Sequence, residues 1–65
     1  MTYILYKHEG DPTFWVVQTL RIDYFRDILE GEYSKIIIIE ESIYNLLKNL
    51  ASITQPAGKE TWYGI

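Results

Sequence analysis

The sequence predicts an α+β domain with a small, mostly antiparallel sheet of three to four strands and two helices, in the order β-β-α-β-α with a possible last strand. Three observations carry this. Short runs of aromatic and β-branched residues recur along the chain, two stretches switch to helical spacing, and turn residues separate each from the next. At 65 residues the chain is expected to form a single compact domain spanning residues 1–65. A chain of this length buries only about 60% of the surface its unfolded form exposes, so its stability margin is thin. There is no cysteine and no Cys/His cluster, hence neither a disulfide nor a zinc site to brace the fold.

The first strand is expected over Tyr3 to Lys7 and the second over Thr13 to Thr19 (TFWVVQT), both rich in strand-favouring residue types. Between them HEGDP supplies a glycine free to take positive φ, an aspartate that bonds its own backbone and a proline that removes a donor, which predicts a hairpin. In RIDYFRDILEGEY the period changes. Ile22, Phe25 and Leu29, with Tyr24 and Ile28 beside them, predict a helix over residues 20–30, with Thr19 or Asp23 as its N-cap and Gly31 as its C′ residue. SKIIIIEE predicts a strand apolar on both faces and therefore central. ESIYNLLKNLASIT predicts the second helix, packed through Ile43, Leu46, Leu47, Leu50 and Ile53 and ended by Pro56 and Gly58. The tail ETWYGI either adds an edge strand or lays its aromatics over the core. Every strand is apolar on both sides. Two helices sharing one face would leave the other as a binding or dimer surface, whereas helices divided between the faces would cover each less completely.

Composition excludes several functions. The net charge is -3 and the chain lacks a basic face for a phosphate backbone, which argues against direct nucleic-acid binding. The longest aliphatic run, Ile36 to Ile39, is far shorter than the ~20 residues of a membrane helix, and MTYILYKHEGD is not a signal peptide. A soluble, cytoplasmic protein read from a complete small reading frame is expected, with no membrane partner. No nucleophile has a base to activate it, the four glycines form no phosphate-cradling loop, and His8 beside Glu9 and Asp11 is a loop cluster rather than a metal site. No catalytic residue, metal or cofactor is assigned. The protein is not expected to be an enzyme.

Charge is unevenly spread. Asp23, Asp27, Glu30, Glu32, Glu40 and Glu41 stand against Arg26 and Lys35 over one short span. At 100° per residue, Asp23, Asp27 and Glu30 fall within an arc of about 60° opposite the apolar side of the first helix, at rises of about 6 and 4.5 Å, near the spacing of successive phosphates. A solvated surface would account for carboxylates, but Glu30 in the last turn opposes the helix dipole. Glu40 and Glu41 are read as residues suited to a helix N-terminus. The expected function is therefore a non-enzymatic acidic protein-binding module. It would inhibit or regulate a larger protein by presenting a phosphate-like helix face to a basic groove, as in a CRISPR effector, restriction enzyme or polymerase, after the manner of phage inhibitors of host defence. The expected binding residues are Asp23, Asp27, Glu30, Glu32, Trp15, Trp62 and Tyr63, the aromatics serving as anchors where exposed. The alternative is a homo-oligomer, such as a homodimer, or an accessory structural subunit, joined through an uncovered apolar sheet face.

Overall fold

The computed structural model describes all residues from Met1 to Ile65. The chain forms β1 (Thr2–His8), β2 (Phe14–Thr19), α1 (Ile22–Ile28), β3 (Ser34–Ile39), α2 (Glu41–Leu50), β4 (Ile53–Ala57) and β5 (Glu60–Gly64). Five strands make one sheet in the order β3-β1-β2-β5-β4, and every neighbouring pair is antiparallel. The α+β class is as expected. The expected three to four strands become five, because the tail forms one and Ile53–Ala57, read as the end of the second helix and its stop, forms another.

The β1–β2 hairpin forms where HEGDP lies. Gly10 takes φ +91°, and the Asp11 carboxylate accepts the Thr13 N–H at 2.9 Å and the Trp15 indole N–H at 3.2 Å. The aspartate thereby fixes both the turn and the first inward ring of β2.

Alternation along the strands sorts side chains onto two faces. Ile4, Tyr6, Trp15, Val17, Ile36 and Trp62 project to one face and meet Phe25 of α1, with Ile22, Leu29 and Ala57 closing around them. Trp62 is central, its ring 5.3 Å from Tyr6, 5.9 Å from Trp15 and 6.0 Å from Phe25. On the opposite face α2 lies across the sheet and sets Tyr44 4.8 Å from Tyr3, above a fully buried Val16. The helices divide between the two faces, one to each.

Five expectations are corrected. SKIIIIEE is not central: β3 is an edge strand paired only with β1; Ile36 is buried, but Ile37 on one face and Ile38 on the other stay exposed, at 57% and 51%. The first helix covers Ile22–Ile28 rather than residues 20–30. Gly31 is not a left-handed C′ residue, since only Gly10 and Gly58 have positive φ; it pairs instead with Ser34 as an isolated bridge. The second helix ends at Leu50, and Pro56 and Gly58 belong to a hairpin, not to a helix stop. Gly58 at φ +67° occupies the first position of the two-residue Gly58-Lys59 loop between paired Ala57 and Glu60, which matches the type II′ turn that suits strand twist. β5 is then interior, between β2 and β4, neither an edge strand nor a drape.

The packing stripe assigned to α2 also changes. Tyr44 and Leu47 face the sheet, whereas Ile43, Leu46 and Leu50 are exposed, as is Ile53 in β4. Tyr44 displaces the aliphatic stripe because its ring stacks against Tyr3, which rotates the helix so that the aliphatics form a flank.

Candidate protein-binding surface

The acidic surface is built by α1 and the loop that follows it. Phe25 is buried and Ile22 and Leu29 are half-buried against the sheet, so the opposite side of this short helix must face water. Asp23 and Asp27, one turn apart, are both exposed there. The helix then closes early: the N–H groups of Leu29 and Glu30 both reach the Phe25 carbonyl, at 2.8 and 3.3 Å. Glu30 consequently leaves the helical path, and its carboxylate accepts the Ile36 N–H at 3.3 Å. The continuous line of three carboxylates is therefore not formed. Two acids lie on the helix, Glu30 is tied to the β3 edge, and Glu32 is exposed in the turn before β3.

None of these four acids has a cation within the chain. The single ion pair is Arg21 to Glu60, at 2.6 Å. Arg26, on the same helix as Asp23 and Asp27, pairs with neither.

Trp15 and Trp62 do not join this surface. Both are core residues, Trp15 7% and Trp62 9% exposed, and Tyr63 is half-buried with the Lys48 ammonium 5.1 Å from its ring centre. The aromatics that do flank the acids are Tyr24, 46% exposed, and Tyr33, 59% exposed. Adjacency to Asp23 and Glu32 in the sequence was the available signal for both. Tyr24 also carries the Arg21 guanidinium over its ring at 4.2 Å, which fixes its orientation.

The polar cluster beside α1 braces the fold. Glu60 accepts hydrogen bonds from Thr19 Oγ1 at 2.7 Å, Arg21 Nε at 2.8 Å and Arg21 Nη2 at 2.6 Å. Arg21 holds the Glu60 carboxyl below the usual carboxylate range, assisted by Thr19 and opposed by burial. Neither Thr19 nor Asp23 caps α1 through its side chain; the N-cap position is Arg21, whose N–H donates to Thr19 Oγ1 at 3.0 Å. An open depression of about 470 Å³ lies over this cluster, lined by Thr19, Arg21, Lys59 and Glu60 among others. Its carboxylate is already fully engaged, so it has no free base to offer.

His8 is exposed at the end of β1, and no three His, Asp or Glu residues come together in a metal-holding group. Glu40 and Glu41 occupy the N-cap and first turn of α2, as their residue type suggests. No helix is long and apolar enough to cross a membrane. Compared with protein-family models, with curated proteins and with solved structures, the chain matches none. The fold and surface define a small α+β domain with a five-stranded antiparallel sheet and exposed acids that form no ion pair within the chain.

Proposed function

We propose that this protein is a non-enzymatic module that binds a larger protein through Asp23, Asp27, Glu30 and Glu32, with Tyr24 and Tyr33 as flanking anchors. The observation that carries the reading is that none of these four acids forms an ion pair within the chain. Unpaired carboxylates of one sign project a field that steers a basic partner and is complementary to it. A groove that accommodates nucleic-acid phosphates is such a partner, so the target class is a nucleic-acid-handling enzyme, host-defence effectors included. Inhibition would follow from occupancy of that groove. The pair Asp23 and Asp27, at a rise of about 6 Å, supplies the phosphate-like spacing; Glu30 and Glu32 widen the surface beyond it.

The test is capture of partners from nuclease-treated lysate by the wild type beside a variant with Asp23, Asp27 and Glu32 changed to lysine. Those side chains are exposed and make no hydrogen bond within the chain, so the circular dichroism spectrum should be unchanged. A nucleic-acid-handling protein held by the wild type alone, and released as salt rises, supports the reading. Equal retention by both forms removes it.

A second reading is favoured by a different observation. Ile43, Leu46 and Leu50 form an exposed strip along α2, and Ile37 is exposed on β3. An apolar surface of this kind suits a homo-oligomer or an accessory subunit, whose association would persist at high salt.

A further inference from the structure

Besides the depression over the Arg21–Glu60 pair, the chain has a smaller cleft between α1 and the β4–β5 hairpin. Its volume is about 260 Å³, and Tyr24, Phe25, Leu29, Ala57 and Trp62 form its apolar walls. Pockets that take drug-sized ligands run to ~300–1,000 Å³, so this one is sized for a single ring.

Three aromatic side chains set its character. Tyr24 and Phe25 stand 6.0 Å apart and edge-on at 86°, and Phe25 stands 6.0 Å from Trp62. A planar ring placed among them gains edge-to-face and offset contacts with more than one neighbour. Gly58, in the hairpin turn, borders the cleft without a side chain, and a Cβ there would lie 3.1 Å from Arg21 Nη2. The bare turn therefore leaves room beside the guanidinium.

The polar groups define what such a ring must carry. Trp62 Nε1 is buried and has no hydrogen-bond partner, the one side-chain polar atom of the chain in that condition. Leaving a buried donor unpaired is unfavourable, and an acceptor that reaches it relieves this. Trp62 lines this cleft and not the larger depression, so an acceptor from outside the chain comes by this route. No carboxylate lines the cleft. Arg21, its one cation, already donates Nε and Nη2 to Glu60. Its charge is thereby matched within a chain whose net charge is -3, so an anion gains little here and an uncharged acceptor is favoured.

We infer that the cleft binds a small uncharged aromatic molecule bearing a carbonyl, with its ring against Tyr24, Phe25 and Trp62 and its oxygen accepting from the Trp62 indole N–H. Of the residues assigned to the protein-binding surface only Tyr24 is shared. The inference adds a small-molecule ligand to that reading and stands without the four acids.

Titration with benzamide, followed by proton–nitrogen correlation NMR, tests it. The two tryptophans give two indole signals. Trp15 donates its N–H to Asp11 and does not line the cleft, so its signal is the internal reference. The Trp62 indole proton is expected to move downfield and saturate while that of Trp15 stays. Toluene, which has no acceptor, is expected to bind about two- to tenfold more weakly than benzamide, and benzoate, which adds a charge, no more tightly than benzamide. Ala57→Leu fills the cleft and is expected to abolish the shift. Tyr24→Ala, at an exposed position, keeps the test open if Ala57→Leu does not fold; it removes one wall and is expected to weaken binding about two- to tenfold. A Trp62 signal that does not move, or moves without saturating, overturns the inference, as does equal movement of both indole signals. So does toluene binding as tightly as benzamide, benzoate binding more tightly, or undiminished binding by either folded variant.

Discussion

Glu60 shows how one residue ties distant parts of the chain together. Its carboxylate joins Thr19 at the end of β2 and Arg21 at the entry to α1 to the start of β5. A carboxyl whose folded pKa is depressed contributes stability that is present above the unfolded value and lost as pH falls through the folded one. Stability is therefore expected to decline below about pH 4. Glu60→Gln should flatten that decline and reduce stability at neutral pH by about 1–3 kcal/mol, since it leaves the pair imperfectly satisfied. Urea titrations at pH 3 and pH 7 measure both. Asp11, also held low by the Thr13 N–H and the Trp15 indole, leaves part of the acid sensitivity in place. Gly64 is a second such position: a Cβ there would stand 2.9 Å from Thr13 Cγ2, 2.9 Å from a Trp15 ring carbon and 3.2 Å from Ile53 Cβ. Gly64→Ala is expected to cost about 1–3 kcal/mol, read as a lowered midpoint of thermal unfolding. The sequence identified Asp11 as a turn residue because its chemistry is local. Glu60 and Gly64 were not legible, because their partners lie far away along the chain.

At the scale of elements, α2 separates what periodicity predicts from what packing selects. The apolar spacing of Ile43, Leu46, Leu47 and Leu50 correctly signals a helix, but its aliphatic strip is wider than the contact, and the stacking of Tyr44 on Tyr3 decides which part is buried. Leu46→Gln is therefore expected to change stability by less than about 0.5 kcal/mol, whereas Tyr44→Ala should cost about 3 kcal/mol. Thermal denaturation of the two variants side by side distinguishes this packing from the reverse. Helix α1 and the β1–β2 hairpin were legible because the apolar period of the one and the turn residues of the other are local signals, although the caps read for α1 were not the ones it uses. The β4–β5 hairpin was not: Pro56 and Gly58 fit a helix stop as well as they fit an edge strand and a II′ turn, and only the placement of Trp62 in the core separates the two. The acidic surface was half legible for a similar reason. A wheel drawn through Glu30 assumes a helix that the Phe25 carbonyl has already closed.

For the molecule as a whole, two surfaces of different physical character are available, one charged and one apolar. They predict opposite responses to ionic strength. Binding through Asp23, Asp27, Glu30 and Glu32 should weaken steeply between low and high salt, and association through β3 or the flank of α2 should hold. Isothermal titration at two salt concentrations with any captured partner separates them. Steering by an unpaired acidic side also predicts that charge reversal will reduce the association rate more than it raises the dissociation rate.

The placement of β5 between β2 and β4 bears on how the chain is made as well as on how it stands. Strands β1, β2 and β3 pair with one another early in the sequence, but Val17 must wait for Trp62 before its side of the core can close. Loops that join such distant residues form slowly. A chain still in synthesis would hold a three-stranded sheet with Phe25 and Trp15 unsheltered until Glu60–Gly64 arrived. Closure of the core is thus expected to wait on Glu60–Gly64, and in refolding experiments a rise in Trp62 burial would be its signature.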